Sequence, residues 1–132
     1  YKLDNTMFSA DAELIAVFDW DMATRGDPLV DLGTLLAYWA DPEAPTYPIF
    51  GERAVALAPS MGRDEVVAAY AAATGFDVSA IRYYEGLAYY RIAVIIEQIY
   101  ARYVRGQTAD ERFARFEPLA PILADAAVAV LS

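Results

Sequence analysis

Three polar residues near the start of the chain have the types and spacing to hold a divalent cation. Asp19 follows the apolar run 14–18, and strand alternation places Asp21 on the same face as Asp19. Asn5 stands just before an earlier β-prone run, so a hairpin would bring its amide beside Asp19. Amide and carboxylate oxygens are the hard ligands that Mg²⁺ uses. Taken singly, Asp19 and Asn5 are better explained as turn residues, with Asp19 satisfied by backbone amides, than as metal ligands.

Composition excludes several classes of function. The net charge is −9, without a run of Lys or Arg, which disfavours nucleic acid as a partner. Cys and His are absent, so any chemistry must use carboxylates, amides or hydroxyls. The longest apolar run, 86–96, is interrupted by Arg91 and is shorter than the ~20 residues of a membrane span. We expect a soluble, cytoplasmic protein without a leader peptide.

The pattern of apolar residues and breakers predicts a hairpin followed by helices. A fraction of 58% hydrophobic residues can build a substantial core. Strand signals occur only near the beginning, which indicates an α+β, mostly α fold with a helical bundle after the hairpin. The predicted elements are strands 6–8 and 14–18, helices 28–40, 64–75 and 79–104, an irregular connection over 41–59, and a segment 109–131 broken by Pro118 and Pro121.

Several side chains receive structural assignments from the same patterns. Asp27 caps the helix that starts at Pro28, and Ser79 caps the helix that ends near Val104. The long helix 79–104 is apolar on nearly all sides, which indicates a central position. Its polar residues therefore need partners, either in a buried ion pair or in a substrate, and the ion pair is preferred; these are Arg91, Glu97 and Gln98. Large aromatic residues are assigned to the core in preference to a pocket wall, the alternative for Trp20 and Trp39; these are Trp20, Trp39, Tyr83, Tyr84, Tyr89 and Tyr90.

Three motifs in a fixed order carry a resemblance to a known family. They are YKLDN at 1–5, VFDWD at 17–21 and GDPLVDL at 26–32. Together they resemble the aminoglycoside phosphotransferase and choline kinase-like family, which has a protein kinase-like fold. The run YARYVRGQT at 100–108 is similar to the branch related to the kinase-like domain of acyl-CoA dehydrogenase family members.

The resemblance implies a fold position and site roles. It implies a single partial C-terminal lobe over 1–132, with a catalytic-loop remnant and metal-binding hairpin over 1–27 and a helical subdomain over 28–132. Mg²⁺ and ATP are the implied cofactors. The resemblance implies that Asn5 and Asp19 are ligands of Mg²⁺ and that Asp19 bridges the ion to the nucleotide phosphates. It implies a weaker, supporting role at the metal for Asp21. Asp31 is expected to hold the catalytic loop, and Asp27 to cap the helix.

The same resemblance indicates that two parts of the family's active site, the catalytic aspartate and the nucleotide-binding lobe, are not among these residues. The family loop has its catalytic aspartate five residues before Asn5, which would directly precede Tyr1. The nucleotide-binding lobe is missing too, so the chain reads as a fragment with no catalytic residue of its own. We expect the longer protein to move the ATP γ-phosphoryl group to a hydroxyl of a small molecule, and the fragment to be inactive.

Two alternatives remain open from the sequence. The chain can be a non-catalytic helical interaction module of the same fold. It can also hold a hydrolytic metal site with Asp19 and Asp21 as ligands of a water-activating ion. The acceptor is not readable from the residues, and self-association through an exposed lobe interface is a further expectation.

Overall fold

The chain begins with an antiparallel hairpin and continues as helices, in the predicted order. The computed structural model describes residues 2–21, 23–39 and 61–132. The predicted connection 41–59 and the predicted helix end at Ala40 lie outside these ranges. The α+β, mostly helical class is confirmed. The elements are a 3-10 turn Leu3–Asn5, β1 Thr6–Phe8, β2 Leu14–Val17, α1 Leu29–Ala37, α2 Arg63–Thr74, α3 Ile81–Val104, a 3-10 helix Glu111–Phe116 and α4 Leu119–Leu131.

The hairpin turn is closed by one serine side chain. The Ser9 hydroxyl accepts hydrogen bonds from the backbone N–H groups of Asp11, at 3.2 Å, and Glu13, at 3.1 Å. The Ser9 N–H donates to the Glu13 carbonyl at 2.8 Å. Beyond the turn, Thr6 pairs with Val17, so the start of β1 lies beside the end of β2. This pairing brings the segments before β1 and after β2 together.

The helix α3 forms the centre of the helical part, as predicted, and packs against both α1 and α4. Tyr89 and Leu123 are fully buried in the contact with α4. A second apolar cluster joins α1 to α2 through Leu36 and Val66. Although its sequence is apolar on nearly all sides, α3 also has an exposed side, because one flank has no covering element among the described residues.

Of the aromatic residues assigned to the core, some are buried and others lie on the exposed side of α3. Tyr89 is fully buried, and Trp39 and Tyr84 pack against the second cluster, as predicted. Tyr83 and Tyr90 are each 59% exposed, so their assignment to the core is wrong. Both lie on the outer side of α3, where helical spacing alone could not show which face has a neighbour.

The closest approach between α1 and α3 occurs at Gly33. A Cβ atom built on Gly33 would lie 2.5 Å from the backbone carbon and oxygen of Tyr84 and 2.9 Å from the nitrogen of Glu85. Real Cβ atoms do not approach backbone atoms this closely. The absent side chain therefore sets the separation of the two helices.

Two of the predicted helix boundaries differ from the structure. Ala80 takes the N-cap position of α3, so Ser79 is not its cap. The Ser79 N–H instead donates to the Asp77 carboxylate at 2.9 Å, which holds Ser79 in the preceding turn. The last segment breaks before Pro118, as expected, but Pro121 lies in the first turn of α4. Pro121 does not break that helix, because a first-turn N–H has no intrahelical acceptor to lose.

Candidate functional site

The first helix is fixed at its start by Asp27. One oxygen of its carboxylate accepts a hydrogen bond from the Leu29 N–H at 2.9 Å, the bond expected of a cap, although Pro28 and not Asp27 occupies the N-cap position. The other oxygen accepts a 2.6 Å hydrogen bond from the Tyr84 hydroxyl, on α3. The Tyr84 hydroxyl, and then the Leu29 N–H, lower the pKa of Asp27 below its ordinary value of 3.8. The same bond raises the pKa of the Tyr84 hydroxyl.

Replacing Tyr84 with phenylalanine is expected to lower the thermal midpoint by a few degrees at pH 7, because the ionised Asp27 loses a donor. The folded pKa of Asp27 lies below its unfolded value, so its contribution is present above about pH 3.8 and is lost as the pH falls through the folded pKa. The difference between Tyr84→Phe and the parent chain should therefore shrink on acidification. Thermal unfolding at several pH values measures it.

The neighbouring tyrosine provides the matched control for this prediction. Tyr83 touches the Tyr84 ring edge-on, at 5.3 Å between centroids, and is largely exposed. Its hydroxyl has no hydrogen-bond partner among the described residues. Tyr83→Phe should leave the midpoint unchanged at every pH. A Tyr84→Phe midpoint that equals the parent value at pH 7 would contradict the role of the bond.

Asn5 and Asp19 lie side by side at the open end of the hairpin. The Asn5 side-chain amide donates a 3.1 Å hydrogen bond to the Asp19 carboxylate. The backbone adds a second link, from the Phe18 N–H to the Asn5 carbonyl at 2.8 Å. The hairpin pairing therefore brings together two residues that are fourteen positions apart in the sequence, as the sequence predicted.

The backbone of Asp19 adopts an uncommon conformation. Its φ angle is +60°, in the left-handed region that few residues other than glycine adopt. Such positions cluster at functional sites, where the surrounding structure holds them in place. Just beyond, the Trp20 indole donates to the Val17 carbonyl at 2.8 Å. Trp20 is 66% exposed, so its assignment to the core is wrong: the strand ends before it and turns outward.

A cleft of about 560 Å³ lies between the hairpin, the segment after it, α1 and α3. Apolar side chains from the hairpin and from both helices supply much of the wall. Polar and charged side chains lie among them. The described lining residues that carry polar or charged groups include Lys2, Asn5, Asp19, Thr24, Asp27, Asp31, Thr34, Tyr38 and Arg91.

The cleft collects four of the five residues that the sequence assigned to the site: Asn5, Asp19, Asp27 and Asp31. Asp21 is not among the described lining residues. The expectation that Asp19 and Asp21 share a strand face is wrong, because β2 ends at Val17 and the positive φ of Asp19 interrupts the alternation. The roles of these residues in metal binding stay predictions.

The donor set at Asn5 and Asp19 fits Mg²⁺. Mg²⁺ is usually held by one or two carboxylates, with water and substrate phosphates completing its six ligands. One carboxylate and one amide oxygen on adjacent backbones match this pattern. Within residues 2–21, 23–39 and 61–132 there is no group of three acidic side chains that could hold a metal without such help.

An ion pair that the sequence did not reveal joins α2 to α3. Arg63, the first residue of α2, forms a short ion pair with Glu85 on α3. The Arg63 guanidinium also donates to the Tyr89 hydroxyl at 3.0 Å. Glu85 is the buried acid of α3, whereas the residues singled out from the sequence, Arg91, Glu97 and Gln98, are exposed, so their preferred assignment to a buried pair is wrong. The position of Glu85 within an apolar stretch of α3 was the signal in the sequence that could have indicated a buried ion pair.

Burial and charge act in opposite directions on Glu85. Burial raises its pKa, and the neighbouring Arg63 partly offsets this rise. The pair connects the start of α2 to the central helix and stands apart from the cleft-lining residues. Its role is therefore structural.

Among the described helices, none is long and apolar enough to cross a membrane.

Comparison with known proteins gives the family of the chain. Residues 1–90, which include the hairpin, the cleft-lining part of α1 and the start of α3, match the model of a phosphotransferase enzyme family. The chain is 26% identical to acyl-CoA dehydrogenase family member 11 of Gallus gallus over 132 residues, 95% of this chain and 17% of the relative. It is 29% identical to family member 10 of Mus musculus over 112 residues, 83% of this chain and 10% of the relative.

The human family member 11 is 28% identical over 131 residues, 95% of this chain and 16% of the relative. The chain thus spans less than a fifth of the length of these relatives. No solved structure matches it. The resemblance drawn from the three motifs and from the run at 100–108 is confirmed. Because the family model covers more than half of its residues, the chain belongs to the phosphotransferase enzyme family.

Proposed function

We propose that the chain is the metal-binding part of the C-terminal lobe of a kinase-like phosphotransferase. The complete protein moves the γ-phosphoryl group of ATP to a hydroxyl of a small molecule, in the cytoplasm. The observation that carries the proposal is the contact between Asn5 and Asp19 at one wall of the cleft, with Asp19 in a left-handed backbone conformation. Family membership supports the class of reaction.

Four residues of the cleft have a specific task in this proposal. Asn5 and Asp19 would hold Mg²⁺ through their side-chain oxygens, with the Asn5 amide turned so that its oxygen, rather than the N–H that donates to Asp19, faces the ion. A bound Mg²⁺ would neutralise charge on the nucleotide phosphates. Asp27 anchors the start of α1 by accepting hydrogen bonds from Leu29 and Tyr84. Asp31, one helical turn later and also on the cleft, supports the loop that precedes the hairpin.

Catalysis in this class depends mainly on positioning and charge neutralisation. The described residues match that requirement, because hydrogen bonds fix the backbone on both sides of Asp19. Asn5 is joined to Phe18 through the main chain and to Asp19 through its amide. The proton acceptor for the substrate hydroxyl and the nucleotide lobe belong to residues outside these 132. The proposal therefore concerns the longer protein.

The decisive experiment follows ADP formation by the longer protein, with MgATP and a panel of small hydroxyl compounds. Asp19→Asn and Asn5→Ala should each lower kcat/KM by at least about a hundredfold, because loss of a metal ligand acts directly on the charged phosphates. Asp11→Asn, at the exposed turn of the same hairpin, serves as the control and should leave the rate unchanged. The isolated 132-residue chain should form no ADP.

Two results would count against the proposal. Activity of the isolated chain would mean that its own residues suffice for catalysis. A folded longer protein that forms no ADP with any compound, but still binds another protein, would favour the non-catalytic interaction module. A hydrolytic metal site with Asp19 and Asp21 as joint ligands has less support, because Asp19 is among the described residues that line the cleft and Asp21 is not.

A further inference from the structure

One charged residue of the cleft has no task in the proposed phosphotransfer. Arg91 lies on the exposed side of α3 and lines the cleft. Ile92, which follows it directly, and Ile95, about one turn further on, are apolar lining residues. No hydrogen bond or ion pair joins the Arg91 guanidinium to the residues that the structure describes. The buried ion pair that would have explained an arginine in this helix belongs instead to Glu85 and Arg63.

The other basic residue among the described lining differs from Arg91 in this respect. The Lys2 ammonium is 3.7 Å from the Asp4 carboxylate and 5.3 Å from the centre of the Tyr38 ring. Lys2 therefore has local partners that compensate its charge. Arg91 presents five N–H donors in a planar fork that matches the oxygens of a phosphate or a carboxylate.

The chain as a whole repels anions, with a net charge of −9. In such an acidic protein, an arginine without partners provides a local positive charge in a largely apolar cleft. This charge would favour ligands that carry an anionic group. Hydrogen bonds between ionised partners are roughly twice as strong as neutral ones, and apolar walls strengthen them. A ligand with an anionic group would therefore gain most where Arg91 meets the apolar wall.

We infer that Arg91 is a recognition residue for an anionic group, a phosphate or a carboxylate, of the ligand held in the cleft. The inference rests on the proposed function only in taking the cleft as the ligand site. Two sources of the anion are compatible with the geometry. It belongs either to the nucleotide phosphates or to the hydroxyl compound that accepts the phosphoryl group.

The test uses the 132-residue chain and simple probes in buffer without Mg²⁺. Trp20 lines the cleft and is largely exposed, so its fluorescence reports binding there. The probes are tripolyphosphate for the nucleotide, and hexanoate, hexanol and hexylammonium as a series that differs only in the charged group. The ionic strength is held constant with NaCl, because exposed charges are screened by salt.

The variants are Arg91→Met and, as a matched control, Arg102→Met. Arg102 is an exposed arginine of the same helix, eleven residues further on and so about 16 Å along the axis, and it does not line the cleft. Neither side chain has a partner among the described residues. Both variants should keep the parent thermal midpoint, which shows that the fold is intact.

The parent chain and Arg102→Met should bind an anionic probe alike, and Arg91→Met should bind it about tenfold more weakly, the usual effect of losing a charged hydrogen-bond partner. A loss confined to hexanoate assigns the anion to the acceptor, and a loss for tripolyphosphate assigns it to the nucleotide. Equal binding by all three proteins, no binding of either anion, or a preference for hexylammonium would overturn the inference. Because no Mg²⁺ or catalysis is involved, these outcomes are independent of the Asp19→Asn result.

Discussion

Gly33→Ala is expected to destabilise the chain by about 3 kcal/mol, and to lower its thermal midpoint on the order of 10 °C. Helix propensity alone predicts the opposite sign, because alanine is favoured over glycine inside a helix by roughly 0.5–1 kcal/mol. The steric effect should dominate, since the new Cβ would lie 2.5 Å from the backbone of Tyr84. Backbone atoms cannot rotate away, so α1 and α3 would have to separate.

Two other glycines turn this expectation into a graded series. At Gly86, the nearest atoms to an added Cβ are in the Leu131 side chain, at 3.0 Å, and the Ala127 carbonyl, at 3.2 Å. Leu131 lies at the exposed end of α4 and can move, so Gly86→Ala should cost less. At Gly26 no atom lies within 4 Å, so Gly26→Ala should change the stability by less than about 0.5 kcal/mol.

Urea unfolding of the three variants measures the series. The expected order of destabilisation is Gly33→Ala, then Gly86→Ala, then Gly26→Ala. A Gly33→Ala chain as stable as the parent would show that α1 and α3 do not approach as closely as the structure has them. Because Asp31 and Arg91 lie on these two helices, a larger separation of α1 and α3 would also mean a wider cleft.

The features that the sequence predicted correctly are those set by neighbouring residues. The pairing of the two β-prone runs brought Asn5 to Asp19, and the Asp27-Pro28 pair marked the start of α1. The end of α2 also followed from local chemistry, since Gly75 adopts a φ of +72° that ends a helix. Each of these depends on a few consecutive residues or on a short hairpin.

The features that the sequence did not reveal depend on contacts between distant segments. Gly33 reads locally as a weak helix former, and only the approach of α3 explains it. Arg63 and Glu85 are 22 residues apart on two different helices, so no periodicity pairs them. The exposure of Tyr90 and Trp20 likewise depends on which neighbouring elements are present. The lone Arg91 in the cleft became apparent only once Glu85 was known to hold the buried pair.

Arg63→Met is expected to destabilise the chain by about 2–3 kcal/mol at pH 7, because the Glu85 carboxylate would remain in a largely buried place without the charge of Arg63. Removal of one partner from a fully buried pair costs roughly 3–5 kcal/mol. The smaller value reflects partial exposure, since the side chains of Arg63 and Glu85 are 21% and 12% exposed. Arg112→Met removes the ion pair with Asp110, whose arginine is 78% exposed, and should change the midpoint of urea unfolding far less than Arg63→Met does, because exposed pairs are screened by solvent.

The double variant Arg63→Met with Glu85→Met should recover most of the loss, because a buried pair replaced by apolar side chains of similar size is often neutral in stability. Urea unfolding of the parent, Glu85→Met, Arg63→Met and the double variant gives the coupling energy directly. We expect a coupling of about 2 kcal/mol, in the range found for contacting residues. Losses that simply add in the double variant would show that the two side chains act independently.

The pH dependence separates the two single variants. The folded pKa of Glu85 lies above its ordinary value of 4.5, so its contribution to stability is present below that pH and is lost as the pH rises through the folded pKa. Without Arg63 that pKa rises further, and the deficit of Arg63→Met should be larger at pH 7 than at pH 4, where Glu85 can take up a proton. Glu85→Gln has no carboxyl group to titrate and removes the buried charge itself, so it should cost less than Arg63→Met at pH 7 and show the opposite trend with pH. Because Arg63 is the first residue of α2 and Glu85 lies on the central helix, a pH-independent Arg63→Met deficit would mean that the junction of these helices rests on packing rather than on charge.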